Sequence, residues 1–396
     1  MTIQQTRMPA LSAEEIARVR QPLAQAYTLP PAAYTDPEIY EREVSLIMRK
    51  SWLPLARVDQ VAKPGDYISI DLFGQPVMVV HGKDGTIRTM SRVCLHRAAP
   101  LTEDGAGHRN LFTCPYHAWS YDTAGELVRT PLMNGADGFD EMSATEKGCR
   151  LPQIRTEIWN GFIMANLDED AEHFAPQVAG FTKYFEKFNL DDLVVVKTLD
   201  FPSNWNWKVL VENFMEAYHH IATHATTFGP VFPAAESNVP DNNGAAASDL
   251  EGGPWSILHM PTSAEHDPAA DNPEDASDSS LGGDLYASVI FPHFLLGIQG
   301  TGTAWYQVLP DSHDQLMLKI HFCLPRHLAE QDKDGSGADA TAEMLMLIHN
   351  EDIEANDLVW RGLNAPLTKQ GRLSPLEKSI WQMNQWWLDK MTDAEA

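Results

Sequence analysis

The chain has 396 residues, 43% hydrophobic and 21% charged, enough at roughly 100 to 200 residues per domain for two or three domains with buried cores, which excludes a disordered or collagen-like chain. Lys and Arg total 29 against 55 Asp and Glu, a formal charge of −26 that repels a phosphate backbone and an anionic membrane, so neither nucleic acid nor membrane is expected as a partner. Cys94, Cys114, Cys149 and Cys323 are too few and too scattered for a secreted disulfide framework, and Met1 to Arg20 holds no apolar signal core, so a cytoplasmic protein is expected.

Ser12-Ala13-Glu14-Glu15 has capping-box spacing, and Asp36-Pro37 followed by Tyr40, Val44, Ile47 and Met48 has the cap, first-turn proline and period of an amphipathic helix. Two helices should therefore open the chain. From Gly65 the pattern turns to short β-rich runs at 67–71, 77–81 and 86–90, broken by Phe73-Gly74-Gln75-Pro76 and Lys83-Asp84-Gly85 turns, with further β-like text through 157–166. Residues 50–165 read as one small all-β domain. Beyond it come a helical stretch at 207–223, strand candidates at 286–309 and 315–324, and C-terminal helices, an α+β pattern over 166–396. The Pro-, Gly-, Ala- and Asp-rich text at 233–284 is either a lid or a disordered insertion, and 330–340 reads as a surface loop. No internal repeat is visible.

Cys94-Leu95-His96 and Cys114-Pro115-Tyr116-His117 form C-x-H, seventeen residues, then C-x2-H, at the tips of the meander. Thiolates and imidazoles at such short spacing let two loops each offer two ligands to one metal centre. Structural zinc and an iron-sulfur cluster both remain open on spacing, although zinc fingers group like ligands and here each loop supplies one of each kind. A two-iron cluster with Cys on one iron and His on the other uses that mixture. Through C-L-H-R and C-P-Y-H-A-W the sequence resembles the Rieske family, which implies a 2Fe-2S cluster on Cys94, His96, Cys114 and His117.

The second constellation runs Glu212-Asn213-Phe214-Met215-Glu216-Ala217-Tyr218-His219-His220, then His224. On a regular helix His220 and His224 make the tidier i, i+4 metal pair, so local geometry favours His220. A Rieske pattern followed by E-N-x-x-E-x-Y-H-x4-H strongly resembles the catalytic alpha subunit of Rieske non-heme iron oxygenases, the ring-hydroxylating group. That resemblance covers residue 37 to the C-terminus and implies His219 and His224 as ligands of a mononuclear Fe(II), with the helix ending or distorting between them. The third ligand implied is Asp352, in Asn350-Glu351-Asp352-Ile353 before Arg361-Gly362-Leu363. Two imidazoles and one carboxylate on one side of Fe(II) leave adjacent positions open for dioxygen and substrate.

The fold implied is a small all-β Rieske domain (50–165) inserted into a larger α+β catalytic domain (166–396), an antiparallel sheet flanked by helices, with N-terminal helices (1–49) packed on the latter. The function implied is a terminal oxygenase using O2 and electrons from NAD(P)H, which arrive through a separate reductase or ferredoxin because no nucleotide-binding fingerprint appears in this chain. The resemblance further implies a head-to-tail homotrimer in which Glu216 bridges His219 to His117 of a neighbouring subunit, with Asn213 beside it in the catalytic set. Many family members have Asp at Glu216, Gly at Ala98 and Ala118, and Gln at Trp360. Phe291, Phe294, Leu295, Leu296 and Trp305 are candidates for a pocket suited to an aromatic or otherwise apolar small molecule. A Trp and Tyr cage for a quaternary ammonium compound is the alternative. A bare Rieske electron carrier would need none of the 230 residues after Asn166.

Overall fold

The computed structural model describes residues 11–133, 136, 149–240, 253–266 and 283–392. It divides into two compact units, Lys50–Glu172 and the remainder, Met1–Arg49 with His173–Ala396.

The smaller unit is all β. Strands β1 (Leu53–Arg57), β2 (Asp66–Leu72), β3 (Gln75–His81), β4 (Ile87–Ser91), β5 (Gly105–His108), β9 (Gln153–Trp159) and β10 (Phe162–Asn166) form an antiparallel sheet ordered β1-β10-β9-β4-β3-β2-β5. A second, three-stranded sheet holds β6 (Phe112–Thr113), β7 (Ser120–Tyr121) and β8 (Leu127–Arg129). Met78, Val80, Met90, Leu101, Phe112, Trp119, Tyr121 and Leu151 pack into one core that also takes in Cys94 and Cys114. Burying both thiols with this apolar set holds the two loops in place from below.

In the larger unit, six strands run antiparallel in the order β11-β16-β15-β14-β13-β12: β11 (Leu193–Ser203), β12 (Trp255–Met260), β13 (Leu285–Ile290), β14 (Phe294–Gln299), β15 (Gly302–Pro310) and β16 (Leu316–Pro325). Its helices include α1 (Ala13–Val19), α2 (Pro37–Leu46), α3 (Trp207–Phe214), α4 (Arg326–Gln331), α5 (Ser336–Leu363) and α6 (Lys378–Thr392). Ser12 and Glu15 close the capping box of α1, and Asp36 caps α2 ahead of Pro37. The N-terminal segment lies on α6, where Gln385 Nε2 donates to the Val19 carbonyl and Arg20 pairs with Asp389 at 2.6 Å.

A buried polar knot fixes where α3 starts. Glu43 of α2 accepts from Lys208 Nζ at 2.5 Å, Trp387 Nε1 at 2.6 Å and Trp207 Nε1 at 2.9 Å, and neither Glu43 nor Lys208 touches solvent. Burial pushes the Lys208 ammonium down and Glu43 opposes that shift. Removing either partner strands the other charge, a loss of roughly 3–5 kcal/mol.

Two expectations need correction. The stretch 207–223 is not one helix: α3 stops at Phe214, where the Met215 amide is shared between the Val211 and Glu212 carbonyls, and a separate 3-10 turn covers Tyr218–Ile221. Nor is 330–340 a plain loop. The Asp332 carboxylate accepts from the Gly337 and Ala338 amides at 3.0 and 2.8 Å, so α5 begins inside that text and continues for 28 residues. Of the segment 233–284, residues 241–252 and 267–282 lie outside the described residues. Its described part includes β12 and a 3-10 turn at Ala234–Glu236. No helix among the described residues is long and apolar enough to cross a membrane.

Candidate functional site

The Cys and His loops repeat one geometry. The Cys94 amide donates to the Ala99 carbonyl and Ala98 returns to Cys94 at 2.9 and 3.1 Å; Cys114 to Trp119 and Ala118 to Cys114 repeat this at 2.7 and 3.1 Å. Ala98 and Ala118 both have φ 57°, the left-handed region that costs a residue with a Cβ roughly 1–2 kcal/mol. The family's glycine at these positions has this physical reason, and the two alanines here carry strain.

Cys94 and Cys114 are buried at 2% and 3% exposure, whereas His96 and His117 face outward with ring centroids 4.6 Å apart. Two inner sulfurs and two outer imidazoles are the donor set of a two-iron cluster with chemically distinct irons, and the residues present fit it. The Tyr121 hydroxyl lies 3.4 Å from Cys94 Sγ and accepts from the Leu95 amide at 2.9 Å. With its oxygen accepting from Leu95, its single proton is available to a thiolate at Cys94.

The second site gathers around the end of α3. Glu216 accepts from the His219 amide at 3.0 Å and from His219 Nδ1 at 2.6 Å, so its side chain replaces helix bonding and turns the backbone. Gly229 seats this turn: its amide donates to the His224 carbonyl at 2.8 Å, and a Cβ there would come within 2.8 Å of the His220 carbonyl oxygen. Across the gap, α5 presents Glu351 and Asp352. Glu351 accepts from His224 Nδ1 and Thr227 Oγ1, both at 2.6 Å.

With both Nδ1 atoms held by carboxylates, the Nε2 atoms point to Asp352 Oδ1, His224 at 3.0 Å and His219 at 3.5 Å. His219, His224 and Asp352 each offer a ligand atom, all within 4.8 Å of one another. Asn213 Nδ2 donates to Asp352 Oδ1 at 3.3 Å and steadies it. Burial alone would push the His219 imidazole down, but hydrogen bonds to Asp352 and Glu216 more than offset it and raise it to about 9. Burial raises Asp352, yet His219 and His224 hold its carboxyl well below the usual range. The site therefore favours positive charge, and two Nε2 atoms with a carboxylate oxygen fit a divalent iron.

His220 does not join them. It is buried, its Nδ1 donates to the Phe232 carbonyl at 2.9 Å, and burial pushes its imidazole down to about 4. The regular-helix geometry that favoured it fails because α3 has already ended. Glu351 and Thr227 were not singled out from the sequence; a carboxylate next to a ligand candidate was the only available signal.

A cavity of about 620 Å³ opens onto this site, lined by Glu216, His219, His224 and Asp352 together with Leu210, Phe214, Met260, Ala287, Phe322 and Ile348. Of the pocket candidates Phe291, Phe294, Leu295, Leu296 and Trp305, none is in its lining. Along β15 the cavity face takes Ala304 and Tyr306, while Trp305 points to the opposite face and stacks on His321 at 4.3 Å. Alternation on a strand makes a one-residue error in parity a change of face. Phe291 packs against Trp386, and Leu295, paired with Tyr306 on the same sheet face, is fully buried outside the lining.

The family described as ring hydroxylating alpha subunit (catalytic domain) matches residues 190–393, and the Rieske [2Fe-2S] domain matches residues 51–144. The carnitine monooxygenase oxygenase subunit of Acinetobacter baumannii is 33% identical over 199 residues, 49% of this chain and 52% of that protein. The benzene 1,2-dioxygenase alpha subunit of Pseudomonas putida is 34% identical over 198 residues, 49% of this chain and 43% of that one. The chain thus spans about half the length of the curated relatives it matches.

Among solved structures, the quaternary ammonium Rieske monooxygenase CntA with gamma-butyrobetaine superposes with a TM-score of 0.75 at 21% identity, covering 96% of this chain and 99% of that one. Naphthalene 1,2-dioxygenase from Rhodococcus sp. gives 0.67 at 17%, covering 96% and 98%. Both share the fold. The two matched domains imply a Rieske 2Fe-2S cluster and a mononuclear iron, and the chain belongs to the ring-hydroxylating alpha subunit family, with its Rieske domain inserted ahead of the catalytic domain.

Proposed function

We propose that this chain is the terminal oxygenase of a multicomponent system. It takes O2 and electrons that originate in NAD(P)H, delivered by a separate reductase or ferredoxin, and hydroxylates a small organic substrate, aromatic or otherwise apolar. Where the attacked carbon bears nitrogen or oxygen the product is dealkylated. The observation that carries this reading is the convergence of His219 Nε2, His224 Nε2 and Asp352 Oδ1 at the inner end of the cavity, in a chain that also holds the paired Cys and His loops.

In this reading Cys94 and Cys114 would hold one iron of the cluster and His96 and His117 the other, while His219, His224 and Asp352 would hold the mononuclear iron; when bound, the two groups would supply electron relay and dioxygen activation. Glu216 and Glu351 keep the Nδ1 protons of His219 and His224 in place and so aim both Nε2 lone pairs inward. Asn213 orients Asp352, and Leu210, Phe214, Phe322 and Ile348 keep water from the substrate's target carbon.

A homotrimer follows from the same reading, with Glu216 accepting from His219 and from His117 of a neighbouring subunit. Support comes from apolar side chains exposed beside both centres, Leu95 and Tyr116 next to the outward imidazoles, Tyr218 and Ile221 next to His219. A bare electron carrier would need neither the three-ligand site nor the cavity. Oxidation of a quaternary ammonium compound is the second reading, favoured by Phe214, Phe228, Tyr306 and Phe322 in the lining. Oxygen uptake and product mass, measured with a surrogate reductase over a substrate panel, test the oxygenase reading. Substrate-dependent uptake with label from dioxygen in the product supports it, and a fully loaded protein that transfers electrons but oxygenates nothing overturns it.

A further inference from the structure

One face of α5 lines the cavity over about four turns. Gly337, Thr341, Leu345, Ile348 and Asp352 recur at steps of four or three residues, and all belong to the lining. From Gly337 to Asp352 the helix rises about 22 Å. Spread over that length, about 620 Å³ is a slot and not a bowl. The sheet forms a second wall that runs the same way. On β15, Tyr306 marks the inner end, its ring centroid 6.4 Å from that of His349, one turn before Asp352 on α5. Ala304 and Gly302 follow along the same strand face, the latter about 13 Å from Tyr306. Leu324, at the end of β16, lies beside Gly302, and the chain continues from there through α4 into the start of α5. Both walls therefore share an outer end as well as an inner one.

Gly297 of β14 sits partway along the sheet wall, paired with Ala304 on the neighbouring strand and, like it, part of the lining. Glycine in a strand interior weakens the sheet and marks places where something else approaches the backbone. The fold does not ask for it here. Its φ lies outside the left-handed region, and a Cβ would meet nothing closer than Ala304 Cβ and Leu285 Cδ1, both at 3.8 Å. A larger side chain at 297 would share the face of Ala304 and so enter the slot between its inner and outer ends.

We propose that the substrate is an elongated apolar molecule with one end at the inner site and the remainder lying between α5 and the β14 and β15 strands, and that Gly297 is the residue that admits its length. The proposal rests on the oxygenase reading for the identity of the inner end, but it concerns binding and does not require turnover.

The test uses the iron-loaded enzyme under argon and two probes that share a ring and differ in length, benzyl alcohol and 8-phenyloctan-1-ol. Calorimetric titration should show the longer probe binding the parent at least about tenfold tighter, because each methylene taken into the slot leaves water. Gly297→Leu should weaken the longer probe at least about tenfold and leave the shorter within about threefold. Leu345→Trp narrows the slot from the facing helix and should give the same selective loss, which decides the matter if Gly297→Leu does not fold. Gly297→Ala should unfold no lower than the parent. A smaller preference in the parent, an equal loss of both probes, an undiminished preference in the folded variants, or a Gly297→Ala protein that unfolds well below the parent would overturn the proposal. A protein that shows the expected order yet oxygenates nothing would instead defeat the oxygenase reading alone.

Discussion

Glu351→Gln isolates the carboxylate that orients His224. The substitution keeps size and an acceptor oxygen but removes the charge, so the 2.6 Å contact from His224 Nδ1 becomes a hydrogen bond to a neutral group, roughly half as strong. Thr227 loses its charged acceptor at the same oxygen. Partners that hold a ligating histidine contribute about 10- to 100-fold to metal affinity, which corresponds to about 1.4–2.7 kcal/mol. Anaerobic Fe(II) titration against a competing chelator should show that loss, with the visible spectrum of the cluster unchanged. Asp357→Asn, on the exposed side of α5, serves as the control and should bind iron like the parent. An unchanged affinity in Glu351→Gln, or an equal loss in Asp357→Asn, would show that the Glu351 charge does not hold His224 for the metal.

His219→Ala should lose the mononuclear iron and keep the cluster spectrum, while His220→Ala keeps three irons per chain and loses about 1–3 kcal/mol of stability because the Phe232 carbonyl is left without its donor; metal analysis and thermal unfolding read both. Burial raises Glu212 to about 7 from an ordinary 4.5, so the folded state binds the extra proton. Its stabilising effect is full below pH 4.5 and is lost as pH rises to about 7. Glu212→Gln, still able to accept from Tyr34, should flatten that part of the profile, and unfolding in denaturant between pH 5 and 8 measures it. Tyr121→Phe removes the hydroxyl beside Cys94 Sγ and should lower the cluster's reduction potential in protein film voltammetry, because a donor to sulfur favours the reduced form. Co-expressed Cys114→Ala and His219→Ala chains that assemble at random should recover roughly a quarter of the parent activity if electrons cross between subunits, and none if they stay within a chain; oxygen uptake by mixed trimers decides.

The metal-binding loops were legible because their ligands are close in sequence and the β turns between them leave little freedom. Asp352 was reachable only through resemblance, since a carboxylate among Glu351, Glu354 and Asp357 on a helix carries no signal of its own. The identity of the second histidine depended on where α3 stops, and that depends on the Glu216 side chain taking the His219 amide, a choice that periodicity does not record. On β15 the cavity wall was lost to parity: Tyr306 rather than Trp305 faces it, and the strand composition permits either. The start of α5 was hidden because Asp332 caps it from outside the helix, across Gly335 in the left-handed region. The Glu43, Lys208 and Trp387 knot joins residues far apart in sequence and has no local signature.

Iron and acid-labile sulfide, measured together in anaerobically purified protein and in two variants, decide whether one chain carries both a two-iron cluster and a separate mononuclear iron. Three irons and two sulfides per chain are expected in the parent, two irons and two sulfides in His219→Ala, and one iron without sulfide in a folded Cys114→Ala protein. Zinc in place of iron at the Cys and His loops, or a parent protein that holds only two irons after full reconstitution, would contradict it.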